Sequence, residues 1–290
     1  MKCKLCHSTK IVVKFNLDQF QVMTCKSCGL VFLNNLWPQE EIADVYDAGY
    51  YQERKEYYFG NVIAAPQSGR WNENLDDFLG GLKTLGRFFH KPGKLLDIGC
   101  GIGIFLNMAR EYGWEVTGVE VSPFAAEYAR KRFNLEVHRG GLRKSNFPSN
   151  TFDVVTLWDT FEHMADPFAE LREIKRVLKT GGVLLLDTPN ADGLLRAAAD
   201  VLFRVTAGQC HYPVRKLYHK YHLYYFGAAN LSRALHEAGF TILEFKKKFI
   251  PRIKARGSMA EKAIVAVFSV AEKMLRKEYE LLFFARKDPE

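Results

Sequence analysis

Between Leu95 and Leu106 the chain reads LLDIGCGIGIFL, the stretch with the strongest chemical signal in its 290 residues. The apolar run Lys94–Ile98 has the character of a buried strand. Gly99, Gly101 and Gly103 break it, and a helix-like apolar pattern follows. A strand, a glycine turn and a helix start present backbone amides to a ligand, and glycine lets the ligand approach the main chain closely. Glu120 ends the next strand-like run, Glu115–Val121, where a carboxylate can hold both hydroxyls of a ribose. The dinucleotide fingerprint GxGxxG is absent, because Ile104 stands where its third glycine belongs.

A second constellation lies at the N-terminus. Cys3-x2-Cys6 and Cys25-x2-Cys28 are separated by 18 residues, a spacing that suits a four-cysteine zinc site. Four thiolates in a tetrahedron close the metal's coordination and make it structural. Lys10–Phe15, Phe20–Thr24 and Gly29–Phe32 alternate like strands around it, so residues 1–35 read as a zinc ribbon. A piece this short buries little surface, and the metal would hold it together. His7 is a competing ligand, although the four cysteines already complete the set.

The remaining elements must position these groups. Residues 36–90 read as a helical linker: a helix start at Pro38 with Glu40 and Glu41, then the aromatics Tyr46, Tyr50, Tyr51, Tyr57, Tyr58 and Phe59. These form either a lid over the cofactor or a packing seam. Asn72–Phe89 has helical apolar spacing. From Gly93 strands and helices alternate, the signature of an α/β domain over 91–290. Strands are expected at Lys94–Ile98, Glu115–Val121, Leu135–His138, Thr151–Asp159, Val183–Asp187, Phe240–Phe249 and Tyr279–Arg286. Ser122-Pro123 and Asp166-Pro167 open helices, and Gly181-Gly182 ends one. Two strands after the last crossover helix suit a hairpin with an antiparallel final strand.

With those elements in place, Asp97-Ile98-Gly99-Cys100-Gly101-Ile102-Gly103 resembles motif I, D-x-G-x-G-x-G, of class I S-adenosylmethionine (SAM)-dependent methyltransferases. Residues 71–290 look like such an enzyme. The whole chain resembles bacterial methyltransferases with an N-terminal zinc ribbon, many from surface-polysaccharide and modified-sugar pathways. Supporting marks are Cys25–Phe32, Tyr46 with Tyr50 and Tyr51, Glu162-His163 before Asp166-Pro167, and Gly181-Gly182. The resemblance implies a Rossmann-like fold with a seven-stranded mixed sheet. It implies Gly99, Gly101 and Gly103 against the methionine part of SAM, Asp97 at its ammonium or orienting the loop, Glu120 at the ribose and Val121 at the adenine. Asp159 and His163 would lie at the same sheet edge. Two departures stand out: no extra C-terminal domain of the sugar C-methyltransferases follows, and Gly141 occupies a place where the family often has an acid for the adenine amino group.

Acceptor chemistry rests on an insertion, 191–221, expected to roof the pocket and rich in His and Tyr. His222, in His222-Leu223-Tyr224-Tyr225-Phe226, is the candidate base for an oxygen nucleophile, with His163 the second candidate; hydrogen-bonded packing is the alternative for both. The leading expectation is methyl transfer to a sugar, glycan or lipid-linked small molecule. An RNA methyltransferase whose ribbon grips nucleic acid and a non-catalytic SAM-fold binding module are the alternatives. The net charge of +8 is compatible with RNA or an anionic membrane, and basic clusters fall at Arg139–Lys144, Lys246–Lys248 and Arg252–Arg256. The basic-flanked stretch 263–275 reads as an amphipathic helix lying on a membrane surface, on the sheet or in a dimer seam. No apolar run is long enough to span a bilayer and no secretory leader opens the chain, so a cytoplasmic protein is expected.

Overall fold

The computed structural model describes residues 1–17, 20–34, 45–53, 73–249, 267–268 and 270–289. At the N-terminus lie β1 (Ile11–Leu17), β2 (Phe20–Cys25) and β3 (Val31–Leu33), then α1 (Ala48–Glu53) and α2 (Glu73–Leu85). The α/β part follows as β4 (Lys94–Ile98), α3 (Ile104–Glu111), β5 (Glu115–Glu120), α4 (Pro123–Phe133), β6 (Glu136–Arg139), β7 (Phe152–Trp158), α5 (Pro167–Val177) and β8 (Leu178–Pro189). It closes with α6 (Leu194–Val205), α7 (Tyr212–Leu217), β9 (Tyr224–Tyr225), α8 (Ala228–Glu237), β10 (Phe240–Lys248) and β11 (Glu280–Lys287).

The main sheet has seven strands in the order β10-β11-β8-β7-β4-β5-β6. β11 runs antiparallel to both neighbours and the other pairs are parallel, which is the mixed sheet and terminal hairpin expected. Central strands covered on both faces need continuous apolar sequence, and Leu95, Leu96, Val154, Val155, Leu184, Leu185 and Leu186 are all fully buried. Strand order reverses at β4, with β5 on one side and β7 on the other, so the carboxyl ends of these strands open into a crevice. Local chemistry starts the flanking helices. Ser122 Oγ accepts from the Ala125 amide at 3.2 Å and Asp166 Oδ1 from the Ala169 amide at 3.1 Å, each with proline next, and such caps contribute about 1 kcal/mol.

Three expectations change. Gly181-Gly182 does not divide a helix from a strand. β8 already pairs Leu178 with Phe152, and the register then jumps to Val183 opposite Val154, so the glycines, with Gly181 at φ +76°, form an irregularity inside one long strand. The N-terminal unit is not a free-standing module. β3 pairs antiparallel with β9, making a second sheet β1-β2-β3-β9 that joins residues far apart in the chain. The insertion does not simply roof the pocket. α6 and α7 pack on that second sheet, where Phe15, Val22 and Val31 meet Ala199, Val214 and Tyr218. Phe15 and Phe203 stand edge to face at 4.8 Å, and the Arg196 guanidinium lies 4.9 and 4.8 Å from the rings of Tyr218 and Tyr225.

The helix expected over Asn72–Phe89 is α2, which buries Leu75, Leu82 and Leu85 against the sheet. Pro38–Glu41, Tyr57, Tyr58, Phe59 and the cluster Arg252–Arg256 lie outside the described residues, as does much of 263–275; within the latter, Val267, Val270, Met274 and Leu275 are exposed. Among the described residues, no helix is long and apolar enough to cross a membrane.

Candidate active site

At the crevice beyond β4, β5 and β7 lies a cavity of about 820 Å³, within the roughly 300–1,000 Å³ of small-molecule sites. Asp97, Gly99, Gly101, Glu120, Val121, Asp159, His163 and His222 all line it. Gly103 does not. A Cβ there would meet Leu135 Cδ1 at 2.7 Å and Ala129 Cβ at 2.9 Å, so this glycine, at φ +85°, lets α4 and the start of β6 close against the turn. At Gly99 a Cβ would strike Thr160 Oγ1 at 2.4 Å. At Gly101 the nearest atom is the Tyr51 hydroxyl, 3.7 Å away. Gly101 thus leaves the backbone bare toward the cavity, the cradle that a cofactor needs.

Two buried carboxylates face this end. Glu120 Oε2 accepts from the Gly101 amide at 2.7 Å and Oε1 from the Ser122 amide at 2.8 Å. Its acid fixes the glycine turn, and each oxygen retains acceptor capacity toward a ribose. Asp97 Oδ1 accepts from the Thr156 hydroxyl at 2.6 Å. Desolvation pushes the Asp97 carboxyl up to about 8, against the Thr156 bond and with a smaller push from Glu120. Burial also raises Glu120, despite its amide bonds. Carboxylates so expensive to ionise in the free protein suit a ligand that brings positive charge, as the ammonium and sulfonium of SAM do.

The rest of the lining is aromatic and imidazole-rich. Tyr46, Tyr50 and Tyr51 form an edge-to-face chain, with successive ring centroids 4.7 and 5.3 Å apart, and Tyr51 packs with Ile102 and Ala125. Tyr46, Tyr50 and Tyr51 thus line the cavity and pack on the α/β domain. His163 Nδ1 lies 2.7 Å from the Tyr221 carbonyl, which makes that nitrogen the donor and leaves Nε2 as the lone-pair site. Burial lowers His163, keeping the imidazole neutral at pH 7. The His163 and His222 rings are 4.6 Å apart, and the Glu162 carboxylate accepts from the Thr188 hydroxyl at 2.9 Å. His219, Lys220 and Tyr221, the end of the insertion, complete this lining.

Two features escape a reading of motifs. Lys248 belongs to a run that looks like a solvated basic cluster, yet its ammonium is 3.0 Å from Asp77, 3.0 Å from Asp187 and 3.2 Å from Glu280, and 5.6 Å from the Trp158 ring. Glu162 is 1% exposed, and its role shows only when His222 is brought beside it from 60 positions on.

At the N-terminus the four thiols converge. Sγ of Cys3 and Cys28 are 3.6 Å apart, those of Cys6 and Cys25 are 3.5 Å apart, and all four lie within 4.8 Å of one another. Thiolates about 2.3 Å from one tetrahedral zinc stand roughly 3.8 Å apart. Main-chain amides of Leu5 and Cys6 point at Cys3, and those of Ser27 and Cys28 at Cys25, whose thiol falls to about 7. Each CxxC is followed by a left-handed residue, His7 at φ 57° and Gly29 at φ 75°. His7 therefore serves the turn and is absent from the ligand cluster.

A doubly wound sheet with a glycine turn after β4, a buried carboxylate ending β5 and a cavity at the switch point is the layout of a Rossmann-like methyltransferase domain. The chain belongs to the family described as "Methyltransferase domain", whose model matches residues 70–244. It is 31% identical over 165 residues to the 2-methyl-6-phytyl-1,4-hydroquinone methyltransferase of Synechocystis sp., covering 51% of this chain and 50% of that one. It is 38% identical over 103 residues to the mitochondrial ubiquinone biosynthesis O-methyltransferase of Schizosaccharomyces pombe, covering 33% and 37%. The chain thus spans half or less of the length of these curated relatives. A SAM-dependent methyltransferase from Archaeoglobus fulgidus shares the fold, with TM-score 0.54, 18% identity, and coverage of 82% of this chain and all of that one.

Proposed function

We propose that this methyltransferase transfers the SAM methyl group to a hydroxyl of a small molecule, a sugar, glycan or lipid-linked precursor. One observation carries the reading: a single cavity of small-molecule size is lined both by the cofactor edge, Asp97, Gly101 and Glu120, and by His163, His222 and Tyr46. SAM supplies an electrophilic methyl on a sulfonium, so the protein's work is binding and alignment. Asp97 faces the ammonium, Glu120 holds the ribose and the turn, and Val121 and Leu142 pack toward the base, where Gly141 offers main chain in place of an acid. Tyr46, Tyr50 and Tyr51 exclude water. Bound SAM would supply the methyl group, the pair of the broken carbon–sulfur bond staying on sulfur, and the imidazoles of His163 and His222 would take the proton from the acceptor oxygen.

Among the described residues, Arg143 and Lys220 are the Lys and Arg side chains that line the cavity, a thin cation set for a phosphate-rich acceptor such as RNA despite the chain's net charge of +8. The four thiols form the structural zinc site of a ribbon that buttresses the cavity through β3 and β9.

The test is incubation with methyl-labelled SAM and separated cell fractions: glycans and nucleotide sugars, lipids, RNA and protein. Label in the glycan or lipid fraction, lost in Glu120→Ala, is expected. Label in RNA alone refutes the reading.

A further inference from the structure

The cavity lining includes three side chains that the hydroxyl reading leaves without a division of labour: Glu162, His163 and His222. One ligand atom from each lies within 4.8 Å of the other two. They come from two segments, the turn after β7 and the residue before Leu223-Tyr224, so their convergence is a product of the tertiary fold. Two imidazoles and one carboxylate gathered on one side of a cavity match the donor set that holds a divalent transition metal on one face and leaves its other positions open.

The outer contacts also match. A ligating imidazole characteristically donates its other ring N–H to a carbonyl or carboxylate, and a ligating carboxylate is itself hydrogen-bonded. His163 Nδ1 donates to the Tyr221 carbonyl at 2.7 Å, which turns the Nε2 lone pair toward Glu162 Oε1, 3.9 Å away. The Thr188 hydroxyl holds Glu162 Oε2 at 2.9 Å, leaving Oε1 for the cluster. Tyr46 Oη, 3.5 Å from His163 Nε2, adds an oxygen at the rim. Metal–ligand bonds of about 2.1 Å bring ligand atoms to separations of roughly 3–4 Å, a small contraction from the arrangement seen. The surroundings favour a cation: Asp159 lies close enough to act on His163, and Asp166 and Glu170 also line the cavity.

We propose that Glu162, His163 and His222 bind a divalent transition-metal ion, whose open positions take neighbouring oxygens of the acceptor. This rests on the reading of the cavity as a methyl-transfer site for a hydroxyl compound, and it specifies the acceptor: one with two adjacent oxygens, such as a vicinal diol. The ion's charge makes loss of the hydroxyl proton easier, the proton passing to water at the open side of the cavity, and His222 then acts as a ligand rather than as a base.

The test titrates Mn²⁺ into the full chain already loaded with one equivalent of zinc, read by electron paramagnetic resonance. The soft thiolate site takes zinc in preference to manganese, so the Mn²⁺ signal reports the second site. One bound Mn²⁺ with nitrogen coupling from imidazole is expected, with affinity at least tenfold weaker in Glu162→Gln and in His222→Ala. SAM titration calorimetry shows whether each variant is folded. No bound Mn²⁺ in protein that binds SAM overturns the proposal, as does Mn²⁺ binding that neither variant weakens. Full turnover of an acceptor with SAM in protein shown to hold only the ribbon zinc overturns it too, leaving the hydroxyl reading intact. Mn²⁺ bound with nitrogen coupling, but label transferred to no hydroxyl compound, supports the metal site while removing the acceptor reading.

Discussion

The role proposed for Asp97, pairing with the ammonium of SAM, makes SAM affinity a function of pH. The Asp97 carboxyl titrates at about 8 in the free protein, because burial outweighs the Thr156 hydrogen bond. The ammonium of SAM requires the ionised form, so apparent affinity follows the ionised fraction, about 1% at pH 6 and about 9% at pH 7. Affinity should therefore rise about ninefold across that unit, equivalent to about 1.3 kcal/mol, with close to one proton released per SAM bound. The ligand's own ammonium, an α-amino group with a reference value near 7.7–8.0, stays mostly charged in this window. The sign for stability is the reverse. The native free protein holds a proton that the unfolded chain releases near 4, so Asp97's contribution to stability falls as pH rises from there through 8, and bound SAM restores it. Calorimetry at pH 6 and 7, in two buffers of different ionisation enthalpy, measures affinity and proton count together. Asp97→Asn should bind more weakly at pH 7 with a shallower slope. Affinities within twofold of each other at the two pH values, with no proton released, would refute the assignment.

Three further outcomes are expected. Gly103→Ala should lower stability by about 1–3 kcal/mol in thermal melting while SAM stoichiometry stays at one, because its Cβ meets Leu135 and Ala129 and not the ligand. Lys248→Met should lower stability by about 3–5 kcal/mol in urea titration, since it strands Asp187 and Glu280 in a buried setting. Purified protein should carry one equivalent of zinc, lost in Cys25→Ser with Cys28→Ser, and its melting temperature should fall on chelation; less than about half an equivalent in the wild type counts against the site.

What could be read without coordinates was local. The glycine turn, the capped starts at Ser122-Pro123 and Asp166-Pro167, and the apolar central strands each carry their instruction within a few residues, and each lies where that instruction puts it. The paired CxxC motifs are likewise short-range signals, and the thiols do meet. What could not be read was contact between distant segments. A three-residue strand such as β3 has no preference for β9 that its own sequence could reveal. Glycine at 181 and 182 satisfies a helix stop and a strand irregularity equally, and only the partner strand decides between them. Lys248 looks like surface until three carboxylates from α2, β8 and β11 surround it.

The pairing of Val31 with Tyr225 also orders events during synthesis. About 190 residues separate the two partners, so at roughly 5–20 residues per second the ribosome needs some 10–40 s to deliver β9 after β3 has emerged. The thiols of Cys3, Cys6, Cys25 and Cys28 can meet at once, because that cluster needs only local chain. The edge Val31-Phe32-Leu33 must wait with its hydrogen-bonding groups open, an apolar template for the wrong neighbour. The nascent chain is therefore most exposed to misassembly in this interval, and the wall that carries His222 is among the last parts of the molecule to be built.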